Sequence, residues 1–231
     1  MPAFATRCGT AAEPAVRGLW RADRLAANEP APVWRSGHPR LDAELPAGGW
    51  PSTGLTELLL RAPGCGELRL LAPALRAAAG ELLWIAPPAL PYAPALHPLG
   101  LARLVCLAPA RAADAAWAAE QALRAGCCAA VLWWGDAPLP MLRRLHLAAT
   151  ACPLFALRPW AAQQQSSPAP LRLACTPAPQ GRLAVRVFKR RGPPMAAAIE
   201  LALPLPVVLH KKPEDEVGRA LARRLPAALA A

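Results

Sequence analysis

Apolar residues in the central part of the chain fall into short continuous runs, separated by stretches with helical spacing. The runs predict buried strands, which are, in chain order, TGLTELLLR, ELLWIAP, LARLVCLAP, CAAVLWWGD and CPLFALRP. The intervening stretches predict helices of roughly 10–15 residues. The clearest of them is ARAADAAWAAEQALRAG, which ends at Gly126. Apolar strands that alternate with helices are typical of a parallel sheet covered on both faces. The pattern therefore predicts an α/β fold.

The pattern changes after a polar loop that ends at Pro170. Three strand-like runs then follow one another with hairpin-like spacing, namely LRLACTP, LAVRVFKRR and MAAAIELAL. Strands joined by such short turns pair in antiparallel fashion. The sequence therefore predicts an antiparallel C-terminal extension on one edge of a mostly parallel sheet.

Three regions are expected along the 231 residues. Residues 1–32 form an Ala/Pro-rich N-terminal segment that is partly helical or flexible, with a candidate helix from Pro14 to Ala27. Residues 33–203 form the core domain. Residues 204–231 form a basic tail with one candidate helix, PEDEVGRALARRL, whose acidic start and basic end suit the helix dipole.

The net charge of +11 favours a polyanionic partner, because basic proteins gain affinity for nucleic acid by releasing counterions. The excess is concentrated after residue 157, where twelve basic residues stand against four acidic ones. A compositional bias towards Ala, Pro and Arg explains the overall charge equally well, but it explains the clustering less well.

The seven cysteines include no C-x-x-C pair and no zinc-ligand spacing, and several lie in apolar runs. Reduced thiols in a cytoplasmic protein are therefore expected, with no metal. The N-terminus lacks a continuous apolar segment, and no stretch of about 18 apolar residues is free of charge or proline. Neither a secretion signal nor a membrane span is predicted.

The first predicted strand leads into a turn and a helix, which is the layout of a phosphate-binding loop. The turn consists of Ala62, Pro63, Gly64, Cys65, Gly66, Glu67 and Leu68. A working loop needs a lysine on the phosphates and a hydroxyl on Mg²⁺. Glu67 and Leu68 stand in those places, and Ala62 replaces the opening glycine. Because a carboxylate repels a triphosphate, we expect no nucleotide binding in the usual mode. No other cofactor is expected.

The positions that support ATP hydrolysis in phosphate-loop ATPases of this layout are also altered. The place of a glutamate beyond the second core strand is taken by Pro87 and Pro88. The strand that should end in a metal-supporting aspartate has Trp134 there, and Asp136 comes two residues late. The sequence therefore predicts a protein that is not an enzyme.

The run WRSGHPRLDAELPAGGWPSTGLTELLLRAPGCGELRLL resembles the opening of the RecA core. The ordered motifs APPALPYAPAL, WAAEQALRAG, VLWW and VFKRRGPPM bring the match closer to ImuA, a degenerate RecA relative related to SulA and associated with damage-inducible mutagenesis in bacteria. The resemblance covers about residues 33–203. It implies a RecA-like fold without catalytic activity of its own.

The resemblance also implies a role in error-prone translesion DNA synthesis. Members of the ImuA family are associated with ImuB, a Y-family polymerase relative without catalytic residues, with an error-prone C-family polymerase, and with RecA. SulA-type cell-division inhibitors are similar to the same group. The alternative is therefore a division inhibitor that binds a tubulin-like polymer.

Two site hypotheses follow from the resemblance. Lys189 and Arg191, with Arg190 between them, match two RecA lysines that reach a neighbouring subunit's nucleotide. The loop from Arg158 to Pro170 matches a RecA loop that binds single-stranded DNA, with Arg158 for a phosphate and Trp160 for base stacking. That loop lacks further cations and glycines, which favours a disordered linker instead. The basic tail adds candidate partner or DNA contacts at Lys211, Lys212, Arg219, Arg223 and Arg224.

Overall fold

A computed structural model describes residues 32–203 of the chain. The predicted N-terminal segment and basic tail, with the candidate helices in them, lie outside the described residues. Within those residues the main feature is an eight-stranded sheet with the strand order β10-β9-β8-β3-β7-β6-β4-β5. Its strands are β3 (Gly54–Leu60), β4 (Leu82–Ile85), β5 (Leu104–Leu107), β6 (Ala130–Trp134), β7 (Pro153–Pro159), β8 (Leu171–Ala178), β9 (Arg182–Lys189) and β10 (Ile199–Ala202). A separate two-stranded sheet pairs β1 (Val33–Trp34) with β2 (Trp50–Pro51).

The main sheet is parallel from β8 to β5 and antiparallel at its other end. Strands β8, β3, β7, β6, β4 and β5 are parallel neighbours. Strands β9 and β10 pair with their neighbours in antiparallel fashion. The predicted α/β fold with an antiparallel C-terminal extension is thus confirmed. One detail differs: the run LRLACTP, expected as the first strand of the extension, joins β3 in parallel.

Helices cover both faces of the sheet because the strands are apolar on both sides. The helices are α1 (Pro39–Asp42), α2 (Glu67–Ala77), α3 (Ala93–Leu96), α4 (Ala112–Ala125) and α5 (Leu139–Ala148). Leu70, Leu71 and Leu75 of α2 pack in one apolar cluster with the side chains of β8 and β9 that point to this face. On the other face, α4 and α5 pack over β3, β4 and β6.

Two glycines explain local features of these helices. Gly126 adopts the left-handed conformation at φ 62° and ends α4, as predicted. Gly37 has φ 78°, and a Cβ there would lie 2.7 Å from the Cβ of Pro73 in α2. The segment from Ser36 to Asp42, near the start of the RecA-like run, therefore packs closely against α2 only because residue 37 is glycine. Helix α2 ends at Ala77 because Ala78 is already extended.

Hydrogen bonds between side chains and the backbone link the residues of this segment. The Ser36 backbone N–H donates to Asp42 Oδ1 at 2.8 Å, and the Ser36 hydroxyl donates to the His38 carbonyl at 3.2 Å. These bonds fix the chain just before the strand that leads to the phosphate-loop turn. Among the residues that the structure describes, no helix has the length and apolar character needed to cross a membrane.

Candidate functional site

The phosphate-loop turn lies between β3 and α2, as its sequence predicts. Gly64 and Gly66 have φ values of 79° and 120°, which are strained for any residue with a side chain. A Cβ at Gly66 would also lie 3.0 Å from Leu203 Cδ1. The two glycines therefore keep the compact turn that brings backbone N–H groups together at the start of a helix.

A carboxylate from the same turn binds these N–H groups. The Gly64 N–H donates to Glu67 Oε1 at 2.7 Å, and the Gly66 N–H donates to Glu67 Oε2 at 3.1 Å. The Glu67 side chain is buried, and it stands in the first turn of α2, where the helix dipole favours a negative charge. Glu67 therefore does more than replace a lysine: its carboxylate fills the position that an anion would take.

The surroundings of this carboxylate do not suit a nucleotide. Leu68, in the place of the Mg²⁺-binding hydroxyl, packs against the core, and Arg69 donates to the Leu203 carbonyl at 3.1 Å. Burial, followed by the negative charge of Glu67, raises the pKa of the Cys65 thiol to about 11. Cys65 is therefore a neutral thiol at physiological pH, and the turn has a negative local environment.

The altered hydrolysis positions have other structural uses. Trp134 is buried and packs against Trp84 with ring centroids 5.2 Å apart. Asp136 forms an ion pair with Arg158, whose Nε lies 3.0 Å from Asp136 Oδ1. In the described part of the chain, no group of three or more His, Cys, Asp or Glu side chains is placed to hold a metal ion.

A buried ion cluster connects the strands beside the turn. Glu57 of β3 accepts from Arg158 Nη1 of β7 at 2.9 Å and from Arg172 Nε of β8 at 2.7 Å. The Ser167 hydroxyl also donates to the Glu57 carboxylate. The side chains of Glu57 and Arg158 are fully buried, and that of Arg172 is 6% exposed. Two buried cations thus share one buried anion, with Asp136 as a second, partly exposed partner.

The ion cluster also holds the loop between β7 and β8. Residues Trp160–Gln164 form a 3-10 helix. Arg172 Nη2 donates to the Ala162 carbonyl at 2.8 Å, and its Nη1 donates to the Gln165 carbonyl at 3.2 Å. A disordered linker was expected here because the loop lacks further cations and glycines. That expectation is corrected, since the arginine that orders the loop lies beyond it in β8.

The predicted DNA contacts in this loop occupy unsuitable places. Arg158 is fully buried, and its guanidinium donates to Glu57, Asp136 and Gln165. This arginine has no exposed donor for a phosphate. Trp160 is partly exposed, but Arg61 lies over its ring at 4.4 Å from the centroid. The two residues contribute to a largely apolar cleft of about 350 Å³ at the carboxyl ends of the parallel strands.

The cations from Lys189 to Arg191 differ in their surroundings. Arg190 donates to the Glu44 carboxylate at 2.7 Å and to the Pro193 carbonyl at 2.6 Å. Lys189 is exposed, with its Nζ donating to the Ser167 carbonyl at 2.7 Å, and Arg191 is exposed as well. Only the outer two of the three therefore offer charge at the surface. The predicted contacts at Lys211, Lys212, Arg219, Arg223 and Arg224 lie outside the described residues.

Sequence reasoning missed Glu57 and Arg172, although the chain carries a signal for them. Each is a charged residue inside an otherwise apolar predicted strand, GLTELLL or LRLAC. Buried charges are stable only when they are paired, so opposite charges in neighbouring buried strands are expected to meet. Glu57 and Arg172 are indeed register partners across β3 and β8.

Comparisons with known proteins identify the fold. No family model matches the chain, and no curated protein matches it. The crystal structure of SulA from Pseudomonas aeruginosa matches 45% of this chain and 96% of the SulA chain at 30% sequence identity, with a TM-score of 0.37, which is too low to support a structural argument. The crystal structure of the RadB recombinase matches 75% of this chain and 97% of the RadB chain at 12% identity, with a TM-score of 0.57. The likeness to RadB, together with the strand order and the helices on both faces, shows that this chain has a RecA-like fold.

Proposed function

We propose that this protein is a non-catalytic adaptor of damage-induced, error-prone translesion DNA synthesis, as its resemblance to ImuA implies. The observation that carries the proposal is the phosphate-loop turn, whose Gly64 and Gly66 N–H groups bind the Glu67 carboxylate. A RecA-like scaffold with this turn keeps surfaces for assembly but lacks a place for the triphosphate. In this role the protein works in the cytoplasm, at the nucleoid.

The proposed partners are an ImuB-like relative of the Y-family polymerases, an error-prone C-family polymerase and RecA. Contact with them would use the N-terminal segment, the cluster from Lys189 to Arg191 and the basic tail. The exposed cations Lys189 and Arg191 suit the charge steering that brings protein partners together.

Co-precipitation tests the proposed partner. The full-length chain is expected to retain a purified ImuB-like protein at about 0.15 M salt, whereas an unrelated protein of similar isoelectric point should not retain it. The second protein controls for binding by net charge alone. Sedimentation with a polymer of a tubulin-like division protein examines the alternative in parallel. Capture of that polymer without capture of the ImuB-like protein would favour a SulA-type division inhibitor.

Titration with ATP and Mg²⁺ tests the loss of nucleotide binding. We expect no heat of binding up to about millimolar ATP, because the Glu67 carboxylate would lie near the phosphates and repel them. Binding of magnesium-bound ATP to the protein with micromolar affinity would contradict this expectation. It would identify the protein as a nucleotide-dependent recombinase paralogue instead.

A further inference from the structure

The C-terminal part of the core contains an excess of positive charge, and only some of its cations pair with carboxylates. Residues 158–203 include seven Arg or Lys residues and one acidic residue, Glu200. Arg158 and Arg172 are buried with Glu57, and Arg190 pairs with Glu44. Arg182 lies 3.5 Å from Glu200. Among residues 32–203, the remaining three cations have no carboxylate partner; they are Arg186, Lys189 and Arg191.

These three cations lie on or beside one face of β9. Along this strand Leu183, Val185 and Val187 are fully buried, so the alternate positions point to the opposite face. Arg186 on that face is exposed, and Phe188 is partly exposed. Lys189 and Arg191 follow at the end of the strand. We call Arg186, Phe188, Lys189 and Arg191 the β9 basic face.

The β9 basic face lies beyond the helices that cover this side of the sheet. Helices α4 and α5 pack over β3, β4 and β6, and the 3-10 helix contacts β3 and β7 and accepts a hydrogen bond from Arg172 of β8. The exposure of Arg186 shows that neither layer extends over β9. Within residues 32–203 an open sheet face with uncompensated charge remains, and it can accept an extended ligand.

The electrostatic surroundings of Lys189 support an anionic ligand. Its Nζ is tied to the Ser167 carbonyl next to the buried ion cluster. Burial, followed by the positive charge of Arg172, lowers the pKa of Lys189, and Glu57 opposes this effect only in part. The ammonium group is therefore partly desolvated beside another cation, and an anion bound at its Nζ would stabilise its charged form.

Phe188 favours nucleic acid over an acidic protein segment. Arg172 lies over its ring at 4.9 Å from the centroid, which fixes the ring, and part of the ring stays exposed. Cations beside a fixed aromatic ring are the usual combination in sites for single strands, where phosphates meet the cations and unpaired bases stack. Arg186 and Phe188 are two residues apart in β9, and Phe188 stands where the register with β8 shifts between Arg172 and Leu173. An acidic peptide would use the cations but not the ring.

We propose that the β9 basic face binds single-stranded nucleic acid, with phosphates at Arg186, Lys189 and Arg191 and a base on Phe188. This site differs from the loop contacts at Arg158 and Trp160 that the RecA resemblance implied. It shares Lys189 and Arg191 with the surface proposed for partner contact, but it does not depend on the adaptor role, since binding of a single strand is measured without a protein partner.

Fluorescence anisotropy with a labelled 20-nucleotide oligo-dT tests the site. Arg186→Gln with Arg191→Gln is expected to weaken binding about tenfold or more near 0.1 M salt, and to reduce the salt slope by about 1.4, because each phosphate contact on a single strand contributes about 0.7. Arg76→Gln with Arg143→Gln is the matched control, since both arginines are exposed and the net charge changes equally. This control should bind within about twofold of the wild type, because neither arginine belongs to the β9 basic face.

Phe188→Leu provides the second, independent measurement. It keeps every charge and most of the apolar volume, and it is expected to weaken oligo-dT binding about tenfold through loss of stacking. Equal losses in the two double variants would overturn the proposal, because binding would then follow net charge alone. Unchanged binding by Phe188→Leu, with displacement of oligo-dT by poly-glutamate at equal charge concentration, would also overturn it in favour of an acidic protein segment. Thermal unfolding of each variant confirms that it is folded.

Discussion

Replacing Glu57 by glutamine is expected to lower the free energy of unfolding by about 3 kcal/mol or more. The change removes one buried negative charge, so that Arg158 keeps only Asp136 and Arg172 keeps no carboxylate partner among residues 32–203. The two arginines keep their desolvation penalty and repel each other, which is why removing one member of a buried pair is strongly destabilising. Urea unfolding followed by tryptophan fluorescence measures the effect.

The matched control is Glu200→Gln, which makes the same substitution in an exposed pair. Glu200 and Arg182 are each about half exposed and 3.5 Å apart, so their pair is expected to contribute no more than about 1 kcal/mol. Limited proteolysis adds a local measurement: Glu57→Gln should expose residues 160–170, because Arg172 holds that loop. Similar stability losses in both variants, with the loop still protected, would contradict the role given to the cluster.

Glu67→Ala is expected to lower the free energy of unfolding by about 2 kcal/mol and to create sensitivity to phosphate. The Gly64 and Gly66 N–H groups lose their acceptor, and a buried donor without a partner costs about 1–3 kcal/mol. Gly66 is buried, whereas Gly64 is exposed and regains water. A small anion that enters the emptied turn would bind the folded state and stabilise it. Urea unfolding in phosphate, compared with chloride at equal ionic strength, measures this gain.

The wild-type protein and Glu81→Ala serve as controls for this measurement. Phosphate stabilises folded proteins in general by exclusion from their surface, so the wild type gives the size of that background. Glu81 is exposed, and its removal should leave the background unchanged. A phosphate effect that is the same in all three proteins would show that the Glu67 carboxylate does not occupy an anion position.

The order of strands and helices could be predicted because it depends on short-range patterns. Apolar runs such as ELLWIAP must be buried wherever they lie, and glycines such as Gly126 end helices through their own backbone freedom. The parallel pairing of β8 with β3 was missed because hairpin-like spacing after residue 170 suggested only antiparallel neighbours. β8 pairs with β3 because the edge of β3 that does not face β7 is open to another strand, and the local sequence does not reveal this.

The candidate site was predictable only in part. The absence of the lysine and of the hydroxyl residue from the turn can be read directly from the sequence, because both are expected at fixed positions of the motif. The position of the Glu67 carboxylate depends on two glycines in left-handed conformations, which bring their N–H groups to one point. The sequence therefore could not show that the Glu67 carboxylate occupies the position of an anion, because this depends on the backbone geometry of the turn.

The sequence by itself determined the α/β pattern, the altered phosphate loop and the excess of cations after residue 157, because each is a property of neighbouring residues. The tertiary structure alone decided which of these cations are free to bind an anionic ligand. Arg158, Arg172 and Arg190 pair with carboxylates far away in sequence, while Arg186 and Lys189 have no carboxylate partner in the described part of the chain. Burial of charge requires a partner, and the partner is chosen by which strands lie side by side in the sheet.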